Sequence, residues 1–171
     1  MIHIYHGDGK GKTTAAVGLA VRALGCGQPV VLAQFLKGGE TGEVTALARF
    51  PAVEILRNPG VQRFTFQMDA QEKADCAAMQ TELLNEAARR IRARGCGLLV
   101  LDEVLDAVGL GFLPEADLLA LLRSLPDTVE AVLTGRRPSE EVLRLSDYVT
   151  CMKKEKHPFD RGSAARRGVE Y

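Results

Sequence analysis

Near the N-terminus a short apolar run, Ile2 to Tyr5, enters the glycine-rich turn HGDGKGKTT (His6–Thr14). A helical pattern, TTAAVGLAVRALG (Thr13–Gly25), leaves it. A strand, a glycine turn and a helix in immediate succession narrow the possible folds more than any other stretch of the chain. The start of a helix carries backbone N–H groups without intrahelical partners, and its dipole favours negative charge there. Such a junction binds anions, phosphate above all. Gly7, Gly9 and Gly11 permit the backbone conformations of a tight turn. Lys12 is placed to reach phosphate oxygens and Thr13 to hold Mg²⁺, while Lys10 adds a second cation. The standard pattern G-x-x-x-x-G-K-[ST], counted back from Gly11, wants its first glycine where this chain has His6 and offers Gly7 instead. The turn is therefore a variant, and a triphosphate need not lie in it as it does in the standard loop.

Beyond the turn, apolar runs alternate with helical periodicity. That pattern predicts βαβ units, and with the loop an α/β fold of the P-loop NTPase type: three layers, αβα, around a mostly parallel central sheet. At 171 residues the chain is expected to form one domain, 1–171, since it is too short for two ordinary ones. Further strands are predicted at Pro29–Phe35, more weakly at Val53–Arg57, then at Gly97–Glu103, Val129–Gly135 and Asp147–Lys153. Asp69 and Glu72 have the spacing of a capping box. Cys76, Met79, Leu83, Leu84, Ala87 and Ile91 then repeat at helical spacing up to Gly95. Pro114 opens a helix reaching Leu125, and Pro138–Ser146 reads as a short one. The last stretch, Lys153–Tyr171, lacks periodicity. It reads as a solvated tail in preference to a basic flap closing on an anionic ligand.

LLVLDE puts Asp102 and Glu103 at the C-terminal end of the clearest buried strand, the edge on which ligands bind in open α/β sheets. A carboxylate there either holds Mg²⁺ or caps the next helix, and the upstream phosphate loop favours the metal. Arg136, in TGR at another strand end, meets phosphate or is an ordinary surface side chain; composition does not separate the two. Lys+Arg and Asp+Glu are equal at 22 each, so no basic field favours nucleic acid or an anionic membrane. No apolar run is long enough to span a bilayer. The four scattered cysteines fit a reducing cytoplasm, each as a small buried hydrophobe. There is no G-x-S-x-G elbow, no zinc-spaced cluster among His3, His6 and His157, and no N-K-x-D motif. What remains is a nucleotide–Mg²⁺ site without an obvious protein nucleophile. Either the second substrate brings its own nucleophile or water attacks.

GDGKGKTTAA, QFLKG, RFTF, LDE, GFLP, TGR and KHPFDRG...ARRGVEY follow one another in an order that resembles the P-loop type of ATP:cob(I)alamin adenosyltransferase, from Ile2 to Tyr171. The resemblance implies that cobalt(I) of a corrinoid attacks the ribose 5′ carbon of Mg-ATP and that triphosphate leaves. It also implies a nucleotide lying reversed relative to ordinary P-loop enzymes. Gly7, Asp8, Gly9, Lys10, Gly11, Lys12, Thr13, Thr14, Arg22 and Arg136 would be the ATP-binding residues. Thr13, Asp102 and Glu103 would form the Mg²⁺ side, with Glu103 among the catalytic residues. Phe64 and Phe66 match an aromatic pair at the corrinoid face, where they would exclude the lower axial ligand and ease reduction of cobalt(II). The implied partners are a second copy of the chain, as a homodimer, and a reduced flavin protein as electron donor. A conventional kinase or ATPase, and a non-catalytic nucleotide or corrinoid carrier, are the rival readings of the same residues.

Overall fold

The computed structural model describes residues 1–58 and 68–170. Among them, six strands form one sheet: β1 (Ile2–His6), β2 (Val30–Gln34), β3 (Val53–Arg57), β4 (Leu98–Asp102), β5 (Glu130–Gly135) and β6 (Tyr148–Cys151). Their order is β3-β2-β4-β5-β1-β6, and every pairing is parallel. Parallel strands need crossovers, and the helices supply them: α1 (Lys12–Gly25), α2 (Gly42–Leu47), α3 (Ala70–Arg94), α4 (Val104–Gly109), α5 (Glu115–Arg123) and α6 (Glu140–Arg144). The short α2 and α4 are additions to the elements expected from periodicity. At six residues each they are too brief for a 3.6-residue repeat to show.

Side-chain alternation along the buried strands sorts the interior into two cores. Val31 and Ala33 of β2, Leu99 and Leu101 of β4, and Ala131 and Leu133 of β5 face α3, α4 and α5. Val30 and Leu32, Leu98 and Val100, and Val132 face Ala16, Ala20 and Ala23 of α1 and Leu47 of α2. This is the three-layer arrangement. The small alanines of α1 let that helix lie close on the sheet, which brings its first turn over the strand ends. The capping box expected at Asp69 is present: its carboxylate accepts from Glu72 N–H, and the Glu72 carboxylate accepts from Asp69 N–H. Gly95, in the left-handed conformation, ends the helix.

Two expectations need correction. Cys76 and Cys96 are buried, but Cys26 lies exposed at the C-cap of α1 and Cys151 exposed at the end of β6, an edge strand whose residues are all exposed. The chain after β6 does not run loose into solvent. Lys154 N–H donates to Asp8 Oδ1 at 3.0 Å, Pro158–Arg161 forms a 3₁₀ turn capped by His157, and Val169 and Glu170 return to the glycine turn.

Candidate functional site: a nucleotide cradle and an acidic pair

The glycine turn is held from both sides by strands that neighbour β1 in the sheet. Gly7 N–H donates to Arg136 O at 3.1 Å, Gly9 N–H to Met152 O at 2.7 Å, and Met152 N–H to His6 O at 2.7 Å. This explains the variant. His6 is still a strand residue, paired with Gly135 and Cys151, and needs no special backbone. The chain turns one residue later, at Gly7, whose φ is +113°. A Cβ there would stand 2.5 Å from Met152 O, and one on Gly9 would stand 2.6 Å from it. These two glycines therefore serve close packing, and their amides are already committed to neighbouring strands. The amides that α1 leaves without intrahelical partners are those of its first turn, Lys12, Thr13 and Thr14. Lys12 bends back so that Nζ donates to Gly9 O at 2.8 Å. Burial, opposed by Asp106 and reinforced by Arg136, lowers the pKa of this ammonium below that of an ordinary lysine.

Asp102 ends β4 fully buried. Its Oδ1 accepts from Thr13 Oγ1 at 2.8 Å and from Thr134 Oγ1 at 2.7 Å. Its Oδ2 accepts from Lys37 Nζ at 2.6 Å and from Gln34 Nε2 at 3.2 Å. A buried carboxylate demands such company, because an unpaired charge there is costly. Glu103, the next residue, caps α4 with its backbone in the left-handed region at φ +61°, and its N–H donates to Thr134 Oγ1 at 2.8 Å. A non-glycine residue in that region stores strain, a feature that clusters at functional sites. Across this turn Asp102 points into the interior and Glu103 stays partly open. Lys37 Nζ is 3.4 Å from Glu103 Oε1. Burial raises the Glu103 pKa above the usual carboxylate range, Lys37 opposes that and Asp102 adds to it. Burial works against the Lys37 charge, but Asp102 and Glu103 outweigh it and its pKa is raised.

Thr13 and Asp102 meet directly, and Lys37 links both to Glu103. Thr13, Asp102 and Glu103 are hard oxygen donors, the set that suits Mg²⁺. Asp102 caps nothing: the helix cap is Glu103. Gln34, Lys37 and Thr134 are the members that residue-type reasoning passed over. Each lies at or just past the C-terminal end of a buried strand, and the rule that pointed to Asp102 applies equally to them.

Arg136 is exposed, with its N–H on Asp106 Oδ1 at 3.3 Å. With Asp8, Arg137, Lys154, His157 and Phe159 it lines a cleft of about 560 Å³ beside the turn. Lys10 Nζ donates to Val169 O at 2.8 Å and lies 3.4 Å from Glu170 Oε1. Arg22 is not brought to the turn. It is exposed in the last turn of α1, and ten residues of helix separate it from Lys12 by about 15 Å. Phe64 and Phe66 lie outside the described residues. Among the described residues no group of three or more His, Cys, Asp or Glu side chains has the arrangement of a metal centre. No helix among them is long and apolar enough to cross a membrane.

Comparison with known proteins gives a consistent result. The family model described as ATP:corrinoid adenosyltransferase BtuR/CobO/CobP matches residues 1–171. The corrinoid adenosyltransferase of Escherichia coli (strain K12) is 32% identical over 171 residues, covering 100% of this chain and 85% of that protein. The corrinoid adenosyltransferase of Pseudomonas aeruginosa is 34% identical over 169 residues, covering 98% and 82%. Among solved structures, a KaiC-like protein from Pyrococcus horikoshii OT3 superposes with a TM-score of 0.51 at 16% identity, covering 91% of this chain and 74% of that one. At that identity the likeness speaks for the fold alone.

Proposed function

The chain belongs to the ATP:corrinoid adenosyltransferase family, and on that premise we propose how its site performs adenosyl transfer from ATP to a corrinoid. Cobalt(I) of the corrinoid substrate displaces triphosphate from the 5′ carbon. A cobalt–carbon bond forms, the C5′–O bond breaks, and its electron pair departs with the triphosphate. The nucleophile carries no proton, so the protein need not supply a general base. Its work is to hold the triphosphate and to stabilise charge as that group leaves. The first-turn amides of α1 and the Lys12 ammonium cradle the phosphates, with Lys10 and Arg136 at the rim. The Thr13 hydroxyl and the Asp102 and Glu103 carboxylates would hold Mg²⁺, which when bound would neutralise part of the triphosphate charge.

The observation that most supports this reading is the 2.8 Å hydrogen bond from Thr13 to Asp102. It ties the phosphate cradle to the acidic strand, so the two halves of the site are positioned as one unit. Phe64 and Phe66 take the corrinoid face in this reading and keep the lower axial ligand away. The protein works as a homodimer in the cytoplasm, with a reduced flavin protein as electron donor.

The test is anaerobic. Protein, Mg-ATP and chemically reduced cob(I)alamin are mixed, the corrinoid spectrum is followed and the phosphate product identified. Adenosylcobalamin and intact triphosphate in equal amounts are expected. An unchanged corrinoid spectrum with ADP and phosphate accumulating would refute the reading. Replacing both Phe64 and Phe66 by Ala should slow turnover from cobalt(II) more than from pre-reduced cobalt(I), and equal losses would remove the axial-ligand role.

A further inference from the structure

Lys37 reaches every oxygen donor proposed for Mg²⁺. Its ammonium is 2.6 Å from Asp102 Oδ2, 3.3 Å from Thr13 Oγ1 and 3.4 Å from Glu103 Oε1, one contact to each of the three oxygen donors assigned to Mg²⁺. A Mg²⁺ ion sits about 2.1 Å from its ligands. An ion bound to these oxygens would therefore overlap or closely crowd the ammonium, and the two positive charges exclude one another. The backbone that aims Lys37 is fixed. Leu36, just before it, is held at φ +57°, and its N–H donates at 3.1 Å to Oε1 of the fully buried Gln80. The side chain beyond is a flexible four-carbon stem ending in a point charge, which can swing without disturbing that anchor.

We propose that Lys37 is a placeholder cation: it blocks the oxygens against free divalent metal and gives them up when a triphosphate arrives beside it to receive the ammonium. Metal and triphosphate then enter as a pair. Each strengthens the binding of the other, because the metal requires the displaced position of Lys37 and the triphosphate favours it. The swung ammonium adds one more positive charge to the leaving group. The inference rests on the assignment of Thr13, Asp102 and Glu103 to the metal.

Mn²⁺ is the probe, followed by electron paramagnetic resonance on the full chain, with and without inorganic triphosphate. Wild type should take up free Mn²⁺ poorly and bind it far better with triphosphate present. Lys37→Gln should bind free Mn²⁺ about tenfold or more tightly than wild type and show a correspondingly smaller enhancement by triphosphate, the part owed to direct metal–phosphate contact remaining. Lys37→Arg, which keeps the charge, should behave as wild type. Lys37→Met serves as a second uncharged variant, with thermal melts confirming which variants are folded. Unchanged affinity for free Mn²⁺ in the uncharged variants, with triphosphate still delivering Mn²⁺ to the protein, would overturn the placeholder role and leave the metal site standing. No protein-bound Mn²⁺ in any mixture would overturn the metal assignment and the placeholder with it.

Discussion

Adding one methyl group in turn to Gly7, Gly9 and Gly11 separates two costs that the turn combines. At Gly7 an alanine Cβ meets Met152 O at 2.5 Å, and the backbone holds φ +113°. Gly9 has the steric conflict without a positive φ: its Cβ would lie 2.6 Å from Met152 O and 2.9 Å from Lys153 C. Gly11 has the strained backbone at φ +113°, but the atom nearest to its Cβ is Met152 Sδ at 3.6 Å, an ordinary contact. A disfavoured φ costs about 1–3 kcal/mol. Forcing a methyl into packed backbone costs about 1–3 kcal/mol. Gly9→Ala and Gly11→Ala should each lose about 1–3 kcal/mol, one for each reason, and Gly7→Ala about 2–6 kcal/mol. Urea unfolding read by linear extrapolation measures this, provided the slope is unchanged. Since β6 is an exposed edge strand, part of the overlap can be relieved by moving it. If Gly7→Ala is no more destabilising than Gly11→Ala, the close approach of Met152 to the turn is not what makes Gly7 necessary, and the account of the variant motif is wrong.

Lys12→Ala removes a charged donor from the cradle and should weaken triphosphate binding about 10- to 100-fold, measured by calorimetry; retained affinity would exclude Lys12 from the phosphates. Thr134→Val keeps shape but leaves Glu103 N–H without its acceptor and removes a donor from Asp102. A loss of about 1–3 kcal/mol in thermal or urea unfolding is expected, and a neutral result would mean that water replaces the hydroxyl. Glu170 is held by the Arg166 guanidinium and N–H, with Lys10 also near, and its pKa is lowered from an ordinary 4.5 to about 2. A lowered carboxyl pKa gives stability that is complete above the unfolded value and is lost as pH falls toward the folded one. Hydrogen exchange at the Val169 and Glu170 amides should therefore accelerate as pH drops from 4.5 toward 2, beyond the intrinsic pH effect. Glu170→Gln should show the same loosening at neutral pH while the sheet stays protected. Unaltered protection of those amides in that variant would show that the carboxylate does not hold the tail.

Apart from the short α2 and α4, the strands and helices were legible in the sequence because their causes are local. Short continuous apolar runs mark the buried strands, 3.6-residue spacing marks α3, the Asp69–Glu72 pair marks its start, and the crowded glycines mark the turn. The edge on which Asp102 and Glu103 would lie follows from their place at a strand end. What the sequence left undecided were relations between distant segments. Thr13 and Asp102 are 89 residues apart and Lys37 and Asp102 are 65 apart. These pairs meet only because β4 lies between β2 and β5, with α1 laid across the sheet. Strand order is a global outcome of which faces bury together, and no local pattern encodes it. The same holds for the difference between two adjacent acids. One left-handed residue turns Glu103 toward the opening and leaves Asp102 to be neutralised inside, and that turn is fixed by Thr134 from a neighbouring strand. The tail tells the same story in reverse. Its composition resembles that of a solvated segment, and only the nearness of Lys10 and Asp8 gives Glu170 and Lys154 something to hold.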